Sequence, residues 1–594
     1  MKKTSLRNFI VAAWVCVATS FYAQDPLHIP ASVSGNFQID EANYMKDTAI
    51  GTQPLDGKVA RYNSFGNVNY NQGNFSAGVR FESYSPPLLG YLPGYDKTGI
   101  VYKYARYRHN DIDVTVGSFY DQFGSGMCFR SYEDRGLLYD NAMNGMRVIF
   151  TPKNGVTLKG IVGKQRTYFD LSDGTVRGAD AEINLTQLFN DYRETLARND
   201  TGGTDTTKIK RPVKTQVIIG GSFVSRYQKD QDPTLVLPEN VGCGAGRLNI
   251  IRGGFNFYSE GTYKINDPSL PNKMSYKDGK GLLASASYAM NGLTFLVNAK
   301  MIDNMNFRSD RNQTGTIDLI NYSPALTKNH TYMMMAYVPY ASQLNGEAGG
   351  SAEIQYKLKK GTLLGGKYGM DISVNASAMY APDTTGLLPN SQDSTRHYKY
   401  SVDYTKLGQE LFHDFNIEIN KKINKHVKFT FMYSTQYINQ AFVQYNTLVK
   451  KDHPDVNSHI FVADVTWKYR PTKAIRFEGQ TFQTKDVVNA FGAGSWVTGL
   501  IEWTPTSNWF LIVADQYNYG YNDAMANDAK KNGYAVPASI NIPHYYYGSV
   551  VYVSGPTRVT LSYGRQRAGI FCAGGVCRFV PSANALSVSI STSF

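Results

Sequence analysis

Hydrophobic and polar residues alternate one by one through most of this chain. Phe75, Ala77, Val79 and Phe81 interleave with Ser76, Gly78, Arg80 and Glu82; Ala352, Ile354, Tyr356 and Leu358 interleave with Ser351, Glu353, Gln355 and Lys357. Phe461, Ala463, Val465, Trp467 and Tyr469 form a third stripe, and Ile372, Val374, Ala376, Ala378 and Tyr380 a fourth. Successive side chains of a strand point to opposite faces, so each stretch predicts a β-strand with one apolar and one wet side. The last residues repeat the pattern: Leu586, Val588, Ile590 and Phe594 alternate with Ser587, Ser589, Ser591 and Ser593. Asn184 to Arg198, rich in Leu, Glu and Arg, is the best helix candidate.

The connections between these stretches differ in length. Tight turns are expected at Asn71–Asn74, His109–Asp111, Pro152–Gly155, Asn291–Gly292, Lys421–Lys425, Pro471–Lys473, Thr504–Asn508 and Ser554–Thr557. Long polar or aromatic connections are expected at 85–99, 120–144, 303–348, 381–397, 440–457, 486–495 and 518–544. Short turns on one rim and long loops on the other predict an all-β fold: a single large transmembrane antiparallel β-barrel of about 22–24 strands. Counting segments gives 23, an odd number that a bacterial single-chain barrel does not adopt, and the parity slips between residues 169 and 302. Patterned strands begin near Ser32–Ile39, so no separate plug domain is expected.

Composition and the chain ends agree with this picture. The chain has 43 Tyr, 30 Phe and 54 Gly with 18% charged residues, as a barrel with aromatic girdles requires, and a mean hydropathy of −0.35 is compatible with alternating faces. Lys2, Lys3 and Arg7 precede the apolar run Phe9 to Thr19 and then Ser20-Phe21-Tyr22-Ala23, which reads as a signal peptide over 1–23 with the barrel over 24–594. Its removal takes the formal charge from +13 to +10. Beyond it no apolar run is long enough for a spanning helix, which leaves a closed barrel as the way across a bilayer. The expected location is the outer membrane of a Gram-negative cell, in contact with lipid and lipopolysaccharide and inserted by the barrel-insertion machinery.

Four regions could carry chemistry. Cys572 and Cys577, in Phe-Cys-Ala-Gly-Gly-Val-Cys-Arg, suit a disulfide in an exported protein, with a metal site as the alternative. Gly124-Ser125-Gly126 with Arg130, Glu133, Asp134, Arg135 and Asp140 is the densest charged cluster, either a lumen constriction or a salt-bridged external loop. Tyr332, Met333, Met334, Met335 and Tyr337 put an apolar group in a long loop, which either folds into the lumen, offers a partner an adaptable surface, or packs on its neighbours. Arg80, Lys159, Arg252, Lys357 and Arg558 could favour anionic solutes by focusing field in the lumen. His413 and Asp414 are adjacent on a strand and point apart, so they do not make a catalytic pair. No zinc, cofactor or nucleic-acid motif is present, and no enzyme activity is expected.

Several segments resemble motifs of a Bacteroidota outer-membrane β-barrel family of unknown function. They are Val116 to Arg135, Tyr322-Ser-Pro-Ala-Leu-Thr-Lys-Asn-His330, Asn345-Gly-Glu-Ala-Gly-Gly350 and Gly564 to Pro581. The resemblance implies fold and location and assigns no chemistry. Asp47-Thr48-Ala49 also resembles the O-glycosylation acceptor triplet of that phylum. Two functions follow as expectations: a porin-like or loop-plugged channel for hydrophilic solutes, or a barrel that docks a surface, secretion or assembly partner through its external loops.

Overall fold

In the computed structural model the described residues are 31–52, 60–190, 214–385, 400–444, 454–489, 492–573 and 576–594. The expected leader over 1–23 lies outside them. The alternating stretches close into one antiparallel sheet of 24 strands, each paired with the next along the chain. The first strand, Ala31–Tyr44, closes against the last, Ala583–Ser593, with Ile39 opposite Ile590. Phe594 finishes the seam: its N–H donates to the Gly35 carbonyl at 3.0 Å and its carbonyl accepts from the Gly35 N–H at 2.9 Å. Closure pairs every strand and leaves the sheet without an edge.

The outer face carries the apolar half of each alternation. Phe81, Ile100, Val116, Ile354, Phe477, Ile501 and Val513 are exposed there. Aromatic residues gather towards the short-turn rim: the Trp509 ring packs tilted at 4.7 Å from Tyr552, and the Trp503 indole N–H donates to Tyr469 at 3.0 Å. Such amphipathic rings hold a barrel at the membrane interface. The two-residue turns on this rim need left-handed backbone, which Gly73, Gly155, Gly253, Gly292 and Gly555 supply at positive φ, and Asn110 at φ 47°. Among the described residues no helix is long and apolar enough to cross a membrane. The strands cross instead, and the protein is a Gram-negative outer-membrane barrel.

The raw count of 23 resolves to 24, within the expected 22–24, and the slip has a physical origin in the suspected interval. Strands Asn240–Arg252 and Phe255–Lys264 meet at the tight turn Gly253-Gly254. Gly242, Gly244, Gly246 and Gly261 stand where lipid-facing hydrophobic residues would be, so the alternation there is faint. The rims are also irregular nearby. Val156–Thr167 joins Asp170–Asn184 through Tyr168 and Phe169 alone, a tight turn on the long-loop rim. The next connection, on the short-turn rim, is long, and the expected helix is present at 185–190; the rest of its span to Arg198 lies outside the described residues.

Candidate functional site

The lumen faces of the strands are polar, yet many are buried, because two long connections fold inward and cover them. One is 120–142, between strands Ile112–Phe119 and Met143–Lys153; the other is 304–345, between Leu293–Asp303 and Gly346–Leu358. They interlock. The Arg130 N–H donates to the Ile320 carbonyl, the Tyr322 N–H to the Gly126 carbonyl, both at 2.9 Å, and Asn141 donates to the Leu319 carbonyl at 2.9 Å. Phe123, Phe129, Met305, Phe307 and Ile320 form a shared apolar core between them.

The first segment is anchored by charge. Arg80, on the wall strand Phe75–Ser83, reaches Glu82 at 3.0 Å, Glu133 at 2.6 Å and Asp140 at 2.5 Å. Arg166, on Val156–Thr167, binds Glu82 and Asp140, each at 2.6 Å. Tyr120 adds a hydrogen bond to Asp140 at 2.9 Å. Buried charges persist only when paired and hydrogen-bonded, and here three acids share two guanidiniums. The ligand oxygens of Glu82, Glu133 and Asp140 lie within 4.8 Å of one another, close enough for a metal ion, but Arg80 and Arg166 already occupy them. Glu133 is held below the ordinary carboxylate range because Arg80 and Arg135 outweigh the opposing effect of burial.

The structure sorts the five charged candidates by role. Glu133 and Asp140 belong to this network, and Arg135 joins it through Glu133 at 2.8 Å while lying 4.2 Å over the Phe65 ring. Arg130 stands apart, sandwiched at 4.1 Å from both Tyr132 and Tyr322. Asp134 accepts from the Leu137 N–H at 3.1 Å and shapes a turn. Of the basic candidates, Arg80 is offset in place by its three acids and Lys159 by Asp121 at 2.8 Å, while Arg252, Lys357 and Arg558 are exposed. The positive field expected to favour anions is therefore weakened at Arg80 and Lys159.

The second segment crosses the lumen and binds the opposite wall. His330 Nε2 meets Asp414 at 2.6 Å, and Tyr332 donates to Asp464 at 3.1 Å. The Met334 N–H donates to Gln480 at 2.8 Å, and Gln436 donates to the Met335 carbonyl at 3.0 Å. Met334, Met335 and Tyr337 are buried against Met432, Ile460, Phe482 and Trp496, with the Tyr337 ring 4.6 Å from Phe482. Tyr332 is half-buried, and Met333 is 44% exposed. At the segment's ends, Lys300 binds Glu347 at 2.5 Å, and Tyr340 donates to Glu347 at 2.6 Å.

His330, Asp414 and Ser434 come close to a hydrolase triad but in the wrong order. Ser434 donates to Asp414 at 2.8 Å, so its hydroxyl is bound to the acid and not to the imidazole that would have to take its proton. His413 points away and pairs with Glu410 at 2.8 Å, as its place on the strand requires.

At the outer rim, Asp47 accepts from Arg565 at 2.6 Å and Asn584 at 2.8 Å, while Thr48 beside it is exposed. The backbones of Gly569–Ala573 and Val576–Val580 pair with Cys572 opposite Cys577. The side chains of both cysteines lie outside the described residues. Sequence reading missed Arg166, His330 and the Cys128–Cys243 pair. None has its partner nearby in sequence, and only the folded topology brings the partners together.

The model of a family described as "Family of unknown function (DUF6029)" matches residues 1–594. No curated protein matches the sequence. Among solved structures, the siderophore receptor PirA from Pseudomonas aeruginosa is similar at 8% identity and a TM-score of 0.39, over 95% of this chain and 80% of that one. The translocation pore of the P pilus usher PapC gives 9% and 0.40, over 94% and 99%. A BenF-like porin from Pseudomonas fluorescens Pf-5 gives 11% and 0.31, over 68% and 93%. The family match spans the whole chain, and the chain belongs to that family of unknown function.

Proposed function

We propose that this family member is an outer-membrane channel for hydrophilic solutes whose lumen is closed at rest by its own segments 120–142 and 304–345. One observation carries the reading: residues 330–337 bind lumen-facing groups on several wall strands, Asp414, Gln436, Asp464 and Gln480. These groups sit on four consecutive strands, and from the other side Gln165 donates to the Leu319 carbonyl of the same segment at 2.8 Å, so 304–345 spans the lumen between strands far apart in the ring and blocks diffusion until it moves. The first segment, fixed by buried ion pairs, acts as the static part, and 304–345 acts as the part that yields. Because lumen charges are offset locally, discrimination between anions and cations is weak and passage depends on the width opened. Export directed by the leader 1–23, insertion by the barrel machinery, a Cys572–Cys577 disulfide, a Bacteroidota source and contact with lipopolysaccharide complete the proposal.

The test is single-channel conductance in a planar bilayer, comparing the whole protein with a variant in which residues 306–343 are replaced by a short glycine-serine linker. A quiet intact protein and a conducting variant support the reading. Silence in both, with heat-modifiable gel migration showing that both are folded, overturns it.

A second reading, docking of a surface or secretion partner, is favoured by another connection. Tyr519, Tyr534, Val536 and Ile540 lie between the strands Trp509–Asn518 and Tyr545–Ser554 and are half exposed or more at the outer rim. Apolar exposure of that kind suits a protein partner. The Met-rich group does not, since Met334, Met335 and Tyr337 are spent inside the lumen.

A further inference from the structure

The described cysteines meet where two distant parts of the chain touch. Cys128 lies in the inward segment 120–142, and Cys243 lies on the lumen face of the wall strand Asn240–Arg252. Their sulfurs are 2.8 Å apart, and both residues are fully buried among Phe123, Phe129, Val241 and Phe307. The approach does not depend on the sulfurs. Gly126 and Met127 are held from one side by Tyr322 and Asn321, and Arg130 is held from the other by Ile320. Cys243 is fixed in register between Val224 and Lys264 of the neighbouring strands. Hydrogen bonding and sheet register thus deliver the two thiols to each other.

We propose that Cys128 and Cys243 form a disulfide in the mature protein, a covalent tether between the inward segment and the barrel wall. The compartment is oxidising, and both residues are exported. The oxidant is the disulfide form of a periplasmic dithiol–disulfide exchange protein. One cysteine thiolate attacks that disulfide and forms a mixed disulfide; the second thiolate attacks the bound sulfur and releases the oxidant as a dithiol. One S–S bond breaks and one forms, and two hydrogens and two electrons pass to the oxidant.

Contact with Cys243 and burial push the Cys128 thiol up, so it is inert once the lumen has closed. The bond therefore forms before the inward segment is covered, and a small reductant cannot reach it in the folded barrel. If the channel reading holds, the tether makes 120–142 the immovable half of the closure and leaves motion to 304–345. The tether itself does not rest on that reading, because its test reads a bond and not a current.

The test uses the whole protein, taken from outer membranes, denatured without reductant in N-ethylmaleimide and digested with trypsin. Cys128 then lies in the peptide His109–Arg130 and Cys243 in Asp230–Arg247. The expected product is these two peptides joined, two hydrogens lighter than their sum, and separated by reduction. Recovery of both as single maleimide adducts overturns the proposal, and so does either cysteine linked to Cys572 or Cys577. A second measurement guards against trapping artefacts: reductant added to the folded protein should leave the linked species intact, and its loss should follow only after unfolding. Prompt loss in the folded protein contradicts the buried tether.

Discussion

His330 and Asp414 meet at 2.6 Å, one on the inward segment and the other on the strand Ser401–Lys422, so this contact helps couple the lumen filling to the wall. Ser434 and Asn416 also donate to that carboxylate, at 2.8 and 3.2 Å. His330→Ala should therefore leave Asp414 partly satisfied and loosen the segment without unfolding the barrel. The expected cost is about 1–3 kcal/mol, seen as brief conductance openings absent from the parent. A variant as silent as the parent would deny this contact a part in closure.

Arg166 holds Glu82 and Asp140 together; Arg166 and Glu82 are buried, and the Asp140 side chain is 9% exposed. Arg166→Met removes one cation and leaves the acids to share Arg80. Breaking a buried pair from one side costs about 3–5 kcal/mol. The temperature at which the folded band converts on a gel should drop sharply. The double change Arg166→Met with Glu82→Gln should recover part of the loss, and failure to recover any would mean that the network is not coupled as drawn.

Asp318 lies in the inward segment, where burial raises its carboxyl to about 6, against a hydrogen bond from Thr167 and the nearby Arg308. A carboxyl raised above its unfolded value binds its proton more tightly when folded. Its contribution to stability is full at low pH and is lost as pH rises from about 4 through about 6. The span of about two pH units corresponds to about 3 kcal/mol. The difference in conversion temperature between the parent and Asp318→Asn should change across pH 4 to 6 and be level above 7. A constant difference throughout would sink the assignment.

At the closing seam, a Cβ on Gly35 would sit 2.4 Å from the Asn67 carbonyl and 2.6 Å from the Phe594 ring. Gly35→Val should lower the yield of folded, membrane-inserted barrel. Phe594→Ala in the same chain should restore little, because the backbone clash with Asn67 remains. Full recovery would show that the ring alone sets the constraint.

The sequence made the barrel legible because period-two alternation is local and repeats in nearly every strand. It failed where the signal itself faded, at the glycine-lined strands Asn240–Arg252 and Phe255–Lys264. The rim rule misled at Tyr168-Phe169, a two-residue turn among long loops. The charged cluster was visible as Arg130 to Asp140, but its partners Arg80, Glu82 and Arg166 belong to three-dimensional neighbours. The Tyr332–Tyr337 group was legible as an anomaly, an apolar run in a connection, although nothing local showed which walls would receive it. Cys128 and Cys243 gave no sign at all, since 115 residues separate them.

The seam between Ala31–Tyr44 and Ala583–Ser593 joins the far ends of the sheet. Loop-closure entropy makes so distant a pairing the slowest to form. Until it does, the growing sheet carries two open edges, the hazard that promotes clumping of unfinished chains. The inward segments take most of their wall contacts from strands between Arg80 and Trp496, with Arg135 reaching back to Phe65 and, at 3.3 Å, to Gln38 on the first strand. Assembly can thus fill the interior first and zip the wall last, so that the barrel enters the membrane already corked.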